Sequence, residues 1–306
     1  MCNMMSALKA NNSRRLFFLF IILFISVHTT FAQSAKAYFK NGIAHSKANS
    51  FIVAIDEFDK AIKLDPTYAD AYFERAKMKI AVNDYEGAIR DYSEVIKLQP
   101  VRKEAYLFRG FARYNKGDYK NAITDFTTVI STNSSLPMAY YNRALAYYQL
   151  SDYIHALPDY DTAIKLEPTN EVAYVNRGAV KTEMKDYTGA ISDFSKAIEL
   201  KPDYSDAYND RAGVKSLLKD YDGAISDFNK SITIDHNADT YKNRGAAKAS
   251  MNDLDGAIMD YSKAIELSPG YDVYYDLRAQ VYQKTGDTLS ASSDRRTALR
   301  LRAKNK

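Results

Sequence analysis

Apolar and polar residues follow two periods along this chain, one inside short segments and one between them. Inside the segments, apolar residues recur three to four positions apart, which predicts amphipathic helices. The segments themselves recur every 34 residues, with one step of 33, and a tyrosine marks each recurrence: Tyr38, Tyr72, Tyr106, Tyr140, Tyr174, Tyr208, Tyr241 and Tyr275. Counting this tyrosine as position 4 gives eight repeats. They begin at Ala35, Ala69, Lys103, Pro137, Glu171, Ser205, Ala238 and Asp272.

Each repeat predicts two helices joined by a tight turn. Positions 4, 8 and 11 share one face of the first helix, and positions 20, 21, 24, 27 and 28 share one face of the second. Position 8 is always glycine or alanine, position 20 is always alanine, and position 24 is aromatic in seven repeats. We expect the residue at position 8 to face the alanine at position 20. Aspartate at position 16 is expected to cap the second helix, and proline at position 32 to end it.

Two departures from the pattern are expected to alter the local structure. Pro158 occupies position 22 of repeat four, inside the second helix, where it should kink or restart that helix. In repeat eight, position 24 is Arg295, and the face that would meet a ninth repeat is polar. The eighth repeat is therefore expected to be a polar C-terminal cap.

A single helix pair of this kind leaves an apolar face open, so consecutive pairs must stack. The spacing, the small residues and the aromatic positions resemble the tetratricopeptide repeat family, and the resemblance covers essentially all of residues 33–306. It implies an all-α fold, a right-handed α-solenoid of eight 34-residue helix-turn-helix repeats. It also implies a concave face that is lined by the first helices and commonly receives a peptide or partner segment.

Residues 1–32 have the order of a secretory signal peptide. Lys9, Arg14 and Arg15 precede an apolar stretch at residues 16–27, and a more polar segment ends at Ala32, where we expect cleavage. The apolar stretch is shorter than the ~20 residues of a membrane-spanning helix. We expect an exported protein, periplasmic or extracellular, with no integral membrane span after cleavage. An uncleaved N-terminal membrane anchor is the alternative.

Charge and reactive residues argue against several kinds of function. The 306 residues include 42 lysines and arginines against 38 aspartates and glutamates, and without residues 1–32 the balance is nearly neutral, which does not favour nucleic-acid binding. Cys2 is the only cysteine, so an intramolecular disulfide and a thiolate metal site are both excluded. His45, His155 and His236 lack metal-ligand spacing. We predict no catalytic residue, no metal and no cofactor. Because repeats occupy nearly all of residues 33–306, we also predict that the protein is not an enzyme.

Arginine at position 7 and aspartate at position 23 recur together, 16 residues apart, in seven repeats. The arginines are Arg75, Arg109, Arg143, Arg177, Arg211, Arg244 and Arg278, and the aspartates are Asp91, Asp125, Asp159, Asp193, Asp227, Asp260 and Asp294. One interpretation is an arginine stripe that binds phosphate or carboxylate ligands. The other is a repeated bridge between helices. The equal number of carboxylates in register favours the bridge.

The candidate binding surface comprises positions 2, 5, 9, 12 and 13 of the first helices, which point away from the packing positions. Seven apolar residues of the first four repeats are predicted to contact a partner: Phe39, Phe73, Leu107, Phe111, Tyr114, Tyr141 and Tyr148. We expect a partner segment across these repeats, anchored by Phe73, Phe111 and Tyr141. The alternative is that these residues pack against adjacent repeats. Later repeats have smaller or polar residues at these positions, including Ala179, Glu183, Asn209, Gly213 and Ala246.

The resemblance carries only part of a known ligand set. Some members of the family clamp a terminal carboxylate with cations and asparagines at fixed positions; here Asn142, Asn176 and Asn243 occupy position 6, but the accompanying cations are absent. The favoured function is a non-catalytic protein–protein interaction scaffold or adaptor, exported to the cell envelope. A self-associating structural protein is the alternative, and an enzyme or enzyme subunit with unrecognised chemistry comes last.

Overall fold

The computed structural model describes residues 34–304, and this part of the chain folds into sixteen α-helices with no β-strand. The first helix, α1, occupies residues 34–47. The others are α2 (Phe51–Leu64), α3 (Ala69–Ala81), α4 (Tyr85–Leu98), α5 (Lys103–Asn115), α6 (Tyr119–Thr132), α7 (Pro137–Gln149), α8 (Tyr153–Leu166), α9 (Glu171–Glu183), α10 (Tyr187–Leu200), α11 (Ser205–Leu217), α12 (Tyr221–Ile234), α13 (Ala238–Ser250), α14 (Leu254–Leu267), α15 (Asp272–Thr285) and α16 (Thr288–Lys304). The predicted all-α fold of eight helix pairs is confirmed. The predicted signal peptide lies outside the described residues.

The chain divides into two compact bodies, with the boundary between Ser135 and Leu136. The N-terminal body contains α1 to α6, and the C-terminal body contains α7 to α16. Inside each body, every helix from α2 onward packs against the next one along the chain. In the C-terminal body the first helices α7, α9, α11 and α13 also contact one another in order, and they form a surface here called the first-helix face. No helix among residues 34–304 is both long and apolar enough to cross a bilayer.

The turn between the two helices has the same backbone geometry in every repeat. The residue at position 15 has a positive φ in all eight: Asn49, Asn83, Gly117, Ser151, Lys185, Lys219, Asn252 and Gly286. In repeat five, Lys185 N–H donates to the Thr182 carbonyl at 3.0 Å, and Asp186 N–H donates to the Lys181 carbonyl at 2.8 Å. These are the two hydrogen bonds of a Schellman helix end. They offset the roughly 1 to 2 kcal/mol that a left-handed lysine costs.

The aspartate at position 16 caps the second helix, as predicted, in most repeats. Asp84 accepts a hydrogen bond from Gly87 N–H at 2.8 Å, which satisfies an amide that has no partner inside the helix. The same cap is present at Asp152, Asp186, Asp220 and Asp253. Asp118 differs, since its carboxylate accepts from the Asn121 side chain instead. The aspartate therefore ends the first helix with its N–H and starts the second with its carboxylate.

In the four repeats with glycine at position 8, this residue faces the aromatic ring at position 24, not the alanine at position 20 as we expected from the sequence. A Cβ atom added to Gly178 would lie 2.8 Å from a ring carbon of Phe194, which is closer than side chains pack. Phe194 is fully buried and belongs to the same core cluster as Ala190 at position 20. The ring of the second helix thus covers the backbone of the first helix. This approach restricts position 8 to glycine or alanine.

The arginine at position 7 contacts three helices. Arg177 Nε and Nη2 donate to the two carboxylate oxygens of Asp193 on α10, at 2.8 and 2.6 Å. Arg177 Nη1 donates to Asp161 on α8 at 2.7 Å. Asp193 is buried and also pairs with Lys181 Nζ at 2.8 Å. The arginine therefore joins the two helices of its own repeat and attaches them to the preceding repeat, as the bridge interpretation requires.

The bridge recurs along the chain. Both carboxylate oxygens of the position-23 aspartate accept from the arginine in all seven pairs: Arg75–Asp91, Arg109–Asp125, Arg143–Asp159, Arg177–Asp193, Arg211–Asp227, Arg244–Asp260 and Arg278–Asp294. Burial alone raises the pKa of Asp227, but hydrogen bonds from Arg211 and Lys215 outweigh it and hold this pKa below its ordinary value. The buried carboxylate at position 23 therefore has a cation beside it in all seven repeats.

Pro158 does not restart its helix. α8 runs from Tyr153 to Leu166 with Pro158 inside it, so the expectation of a restart is wrong. The proline removes the hydrogen bond that a residue at this position would donate to the Ile154 carbonyl. Both Pro158 and Ile154 are exposed, so water can solvate that carbonyl, while the neighbouring Asp159 and Tyr160 remain buried in the core.

The bridge predicts a specific loss of stability for Arg177→Ala. The variant leaves buried Asp193 with Lys181 as its only cation and cuts the link to Asp161, so we expect the free energy of unfolding to fall by about 2 to 3 kcal/mol. Urea denaturation followed by circular dichroism measures it. Arg90→Ala is the control, because Arg90 is largely exposed and lies 3.8 Å from an equally exposed Glu86; its effect should stay below ~0.5 kcal/mol. Unchanged stability of Arg177→Ala, together with lost partner binding, would instead indicate an arginine stripe for ligands.

Candidate functional site

Two of the predicted contact residues in the N-terminal body are buried. Phe73 and Leu107 are only 7% and 9% exposed. The Phe73 ring packs edge-on against Tyr92 and Phe108, with ring centroids 5.4 and 5.8 Å apart, and the Arg102 guanidinium covers it at 4.1 Å. Phe108 belongs to the next repeat. Phe73 therefore contributes to the packing between repeats, which was the alternative interpretation of the aromatic positions.

The other three predicted residues of this body are more accessible. Phe39 is half-buried against Phe58, with 5.7 Å between the ring centroids. Tyr114 is half-buried against Tyr119 at 5.4 Å. Phe111 has 39% of its surface exposed. In the N-terminal body, Phe111 is thus the predicted residue with the most apolar surface open to a partner.

The remaining two predicted residues lie in the C-terminal body and are half-buried. The Tyr141 hydroxyl accepts a hydrogen bond from Asn176 Nδ2 at 2.8 Å, and its ring packs against Tyr160. The Tyr148 ring packs against Tyr153, with centroids 5.7 Å apart. Tyr148 also lines a cavity, described next, whose other residues come from later repeats.

Two adjoining cavities open on the first-helix face. The larger has a volume of about 470 Å³ and is lined by Tyr148, Ala179, Thr182, Glu183, Asn209, Asp210, Gly213, Val214, Leu217 and Asn243, with Phe194 from α10. The smaller has about 320 Å³ and is lined by Gly213, Ser216, Leu217, Asn243, Ala246, Ala247 and Ser250, with Tyr221 and Phe228 from α12. Most of these residues occupy positions 5, 6, 9, 12 and 13. The predicted rows of the first helices therefore do line cavities, but in the repeats with smaller residues.

Small residues at position 9 provide this space. A Cβ atom added to Gly213 would have no atom within 4 Å other than those of its adjacent residues and its own helix backbone, so it would point into open space. Ala179 and Ala246 occupy the same position in the neighbouring repeats. Leu217, 59% exposed, supplies apolar surface at the rim shared by both cavities. The sequence prediction was based on large apolar side chains. It therefore did not include a cavity that is formed by small ones.

Asp210 in the larger cavity is a carboxylate with few hydrogen-bond partners and a raised pKa. It occupies position 6, where two other repeats of this body have an asparagine that donates to position 5 of the preceding repeat: Asn176 to the Tyr141 hydroxyl, and Asn243 to Asn209 Oδ1 at 3.2 Å. An ionised aspartate cannot donate. The residue it would face at position 5 of the preceding repeat is the apolar Val175.

The carboxylate of Asp210 has one hydrogen bond, from Asn209 Nδ2 at 3.2 Å. Burial raises its pKa to about 6; the Asn209 hydrogen bond opposes this rise and the charge of Asp206 adds to it. None of the described residues that line either cavity is basic. The sequence signal that could have revealed this residue is an aspartate at position 6 among asparagines.

In the described part of the chain, His155 and His236 each lie beside a polar side chain. His155 Nδ1 lies 2.8 Å from the Asp152 carboxylate, at the cap of α8, and His236 Nδ1 lies 3.3 Å from the Tyr241 hydroxyl. Among residues 34–304 no group of three His, Cys, Asp or Glu side chains is placed to hold a metal ion. The side chains that line the two cavities therefore offer hydrogen bonding, apolar contact and negative charge.

The raised pKa of Asp210 predicts a pH-dependent gain in stability for Asp210→Asn. Because this pKa is higher in the folded protein than the ordinary 3.8, ionised Asp210 disfavours the folded state above about pH 6. Below about pH 4 the carboxyl is protonated in both states and the disadvantage disappears. We expect the variant to gain ~1 to 3 kcal/mol of unfolding free energy at pH 7.5 and little at pH 4.

Urea denaturation at the two pH values measures this difference. Asp222→Asn is the control, since Asp222 is exposed on α12 and the substitution changes the net charge equally. Its effect should stay within ~0.5 kcal/mol. A gain for Asp210→Asn that is equal at both pH values would contradict the assignment to ionisation.

Comparisons with known proteins agree with this architecture. No curated protein sequence matches the chain. Sequence models described as tetratricopeptide repeat or TPR repeat match residues 57–90, 110–151, 137–170, 172–204, 205–237 and 238–271. Together these matches cover more than half of the chain.

Several solved structures are similar. A tetratricopeptide repeat protein from Parabacteroides merdae has a TM-score of 0.65 and 18% identity over 81% of this chain and 99% of its own. The MamA protein has a TM-score of 0.52 and 25% identity over 55% of this chain and 92% of its own. YrrB, described as a TPR protein with an unusual peptide-binding site, has a TM-score of 0.50 and 23% identity over 58% and 92%. The matched sequence models and the shared fold show that this chain belongs to the tetratricopeptide repeat family.

Proposed function

We propose that the protein is a non-catalytic scaffold that binds an extended segment of a partner protein on its first-helix face. The observation that carries this proposal is the pair of adjoining cavities on that face, about 470 and 320 Å³ in volume. Volumes of this size accommodate side chains of a bound segment. Tetratricopeptide repeat proteins are generally non-catalytic scaffolds, which supports the same assignment.

The chemistry of the face suits a peptide. Asn209 and Asn243 line the larger cavity and carry amide groups that can bond to a peptide backbone. Leu217 and Tyr148 provide apolar surface for side chains. The peptide-binding site named for YrrB is a property of that protein, and the likeness to it is one of fold. It supports the choice of a peptide as the partner segment.

In the N-terminal body, Phe111 is the proposed contact. Phe73 was expected to anchor the partner, but its burial between Tyr92 and Phe108 makes it a core residue, so removing it would damage the fold. Phe111 is exposed and occupies position 9 of α5, another of the predicted binding positions.

Self-association is a second candidate function. Leu289 and Leu299 on α16 are 83% and 62% exposed, and α16 is the last helix among the described residues. Exposed leucines on this otherwise polar helix can contact a second copy of the chain. The same binding experiment separates this alternative from capture of a different protein.

Gly213→Leu should block partner binding without harming the fold. The leucine side chain enters empty space above α11, and replacing glycine inside a helix favours folding by up to ~1 kcal/mol. We expect at least about tenfold less partner, a loss near 1.4 kcal/mol, in a crosslinking pull-down from the envelope fraction. Thr188→Leu, which adds the same side chain at an exposed position of α10, is the control.

The outcomes of this pull-down are distinct. Equal recovery of the partner with Gly213→Leu and wild type would contradict binding at the first-helix face. Recovery of an untagged copy of the same chain, unchanged by Gly213→Leu, would favour self-association.

Export is also proposed, on the order of basic, apolar and small residues in positions 1–32. We expect mass spectrometry of the mature protein to find Gln33 as the first residue, in a periplasmic or extracellular fraction. An intact N-terminus on a membrane-bound product would contradict cleavage and favour the anchored form.

A further inference from the structure

The larger cavity of the first-helix face has negative charge and no positive charge to balance it. Asp210 lies among its lining residues with one hydrogen bond, from Asn209. Glu183 on α9 also lines the cavity. Tyr148 on α7 faces the same space, and Asp206 and Tyr204 interact electrostatically with Asp210 from its own segment. The residues that line the cavity from α10 and α13 are Phe194 and Asn243, which carry no charge.

The buried aspartates at position 23 differ from Asp210, because each of them has a cation beside it. Every buried aspartate at position 23 has an arginine in contact with both of its oxygens, and Asp227, seventeen positions after Asp210 in the same repeat, has Lys215 as well. Hydrogen bonds from two cations satisfy that carboxylate. Asp210 receives none of this compensation. A desolvated carboxylate that faces an open cavity is available to a cation from outside the chain.

We propose that this cavity binds a lysine or arginine side chain of the partner segment, with Asp210 as the carboxylate that receives it. The proposal rests on the proposed function, since it names the chemistry that the first-helix face selects. The cation would satisfy the unpaired carboxylate, and the aliphatic stem would pack against Tyr148 and Leu217. An arginine would add parallel hydrogen bonds to the two carboxylate oxygens.

The energetics of Asp210 support a role outside folding. An ionised and unpaired carboxylate in a partly desolvated position disfavours the folded state, as its raised pKa of about 6 indicates. A bound cation removes this disadvantage, so the same group that weakens the free protein strengthens the complex.

Selection from a phage-displayed library of random peptides tests the proposal on residues 33–306, the proposed mature chain. Wild type, Asp210→Asn and Asp222→Asn are each used as bait, and recovered peptides are sequenced. We expect lysine and arginine to be enriched at one peptide position with wild type and with Asp222→Asn. The enrichment should be lost with Asp210→Asn, which retains the fold because it removes a buried charge. Asp222→Asn excludes an effect of net charge alone.

The alternatives give different results. Peptides selected without basic residues would overturn the basic-side-chain proposal and leave binding at the face intact. Equal enrichment with Asp210→Asn would overturn the role of Asp210. If folded wild type selects no peptide at all, both this proposal and the proposed function fail.

Affinity as a function of pH provides a second measurement with the strongest selected peptide. Protonation of Asp210 competes with the bound cation, so the dissociation constant of wild type should rise about tenfold between pH 7.5 and pH 5. At pH 7.5 the dissociation constant of Asp210→Asn should be at least about tenfold higher than that of wild type, and it should change little with pH. A wild-type affinity that is constant over this range would contradict ion pairing with Asp210, because Lys and Arg keep their charge throughout.

Discussion

The guanidinium of Arg177 lies among three helices and donates to an aspartate on each of its two neighbours, α8 and α10. A helix pair of this family has an open apolar face, so its structure depends on how each pair attaches to the next. Burial of Phe194 and its equivalents drives the attachment, but apolar contact has no preferred direction. A bidentate arginine–carboxylate pair does have a preferred direction, because two guanidinium nitrogens must donate to the two carboxylate oxygens at once. The arginine therefore sets the distance between helices within a repeat and the register between consecutive repeats.

The parts of the fold that the sequence predicted are those decided by local and repeated contacts. Helix pairs, the caps at position 16 and the arginine bridges all follow from residues at fixed offsets, and seven or eight copies of each offset make the pattern visible. These offsets did not predict which individual side chains of the first helices are buried and which are exposed. Phe73 and Phe111 are both phenylalanines at predicted binding positions, yet Phe73 is covered by Phe108 from the next repeat and by Arg102 at the end of its own repeat, while Phe111 is exposed. The sequence did not predict the cavity at Gly213, because the cavity results from small side chains at position 9 and small residues give no signal of a binding site.

Asp210 and Asp227 show why residue type alone does not assign a role. Both are aspartates of repeat six, and both lose solvent on folding. Arg211 and Lys215 hold the pKa of Asp227 below its ordinary value, so its charge is part of the fold. Asp210 has only an amide beside it, and its pKa is raised. The partner set, which depends on the three-dimensional arrangement of neighbouring repeats, separates a structural carboxylate from one available to a ligand.

The short reach of these contacts has a consequence for how the chain acquires its structure. The bridges of Arg177 join residues 16 positions apart in each direction, and the hydrogen bond from Asn176 to Tyr141 spans 35. Low contact order of this kind gives fast folding, since little loop entropy is lost before a contact forms. A chain that emerges from a ribosome or a translocation pore N-terminus first can therefore add each repeat to the one already folded. During this process only the most recently folded repeat exposes its apolar face. Little apolar surface is therefore available for aggregation.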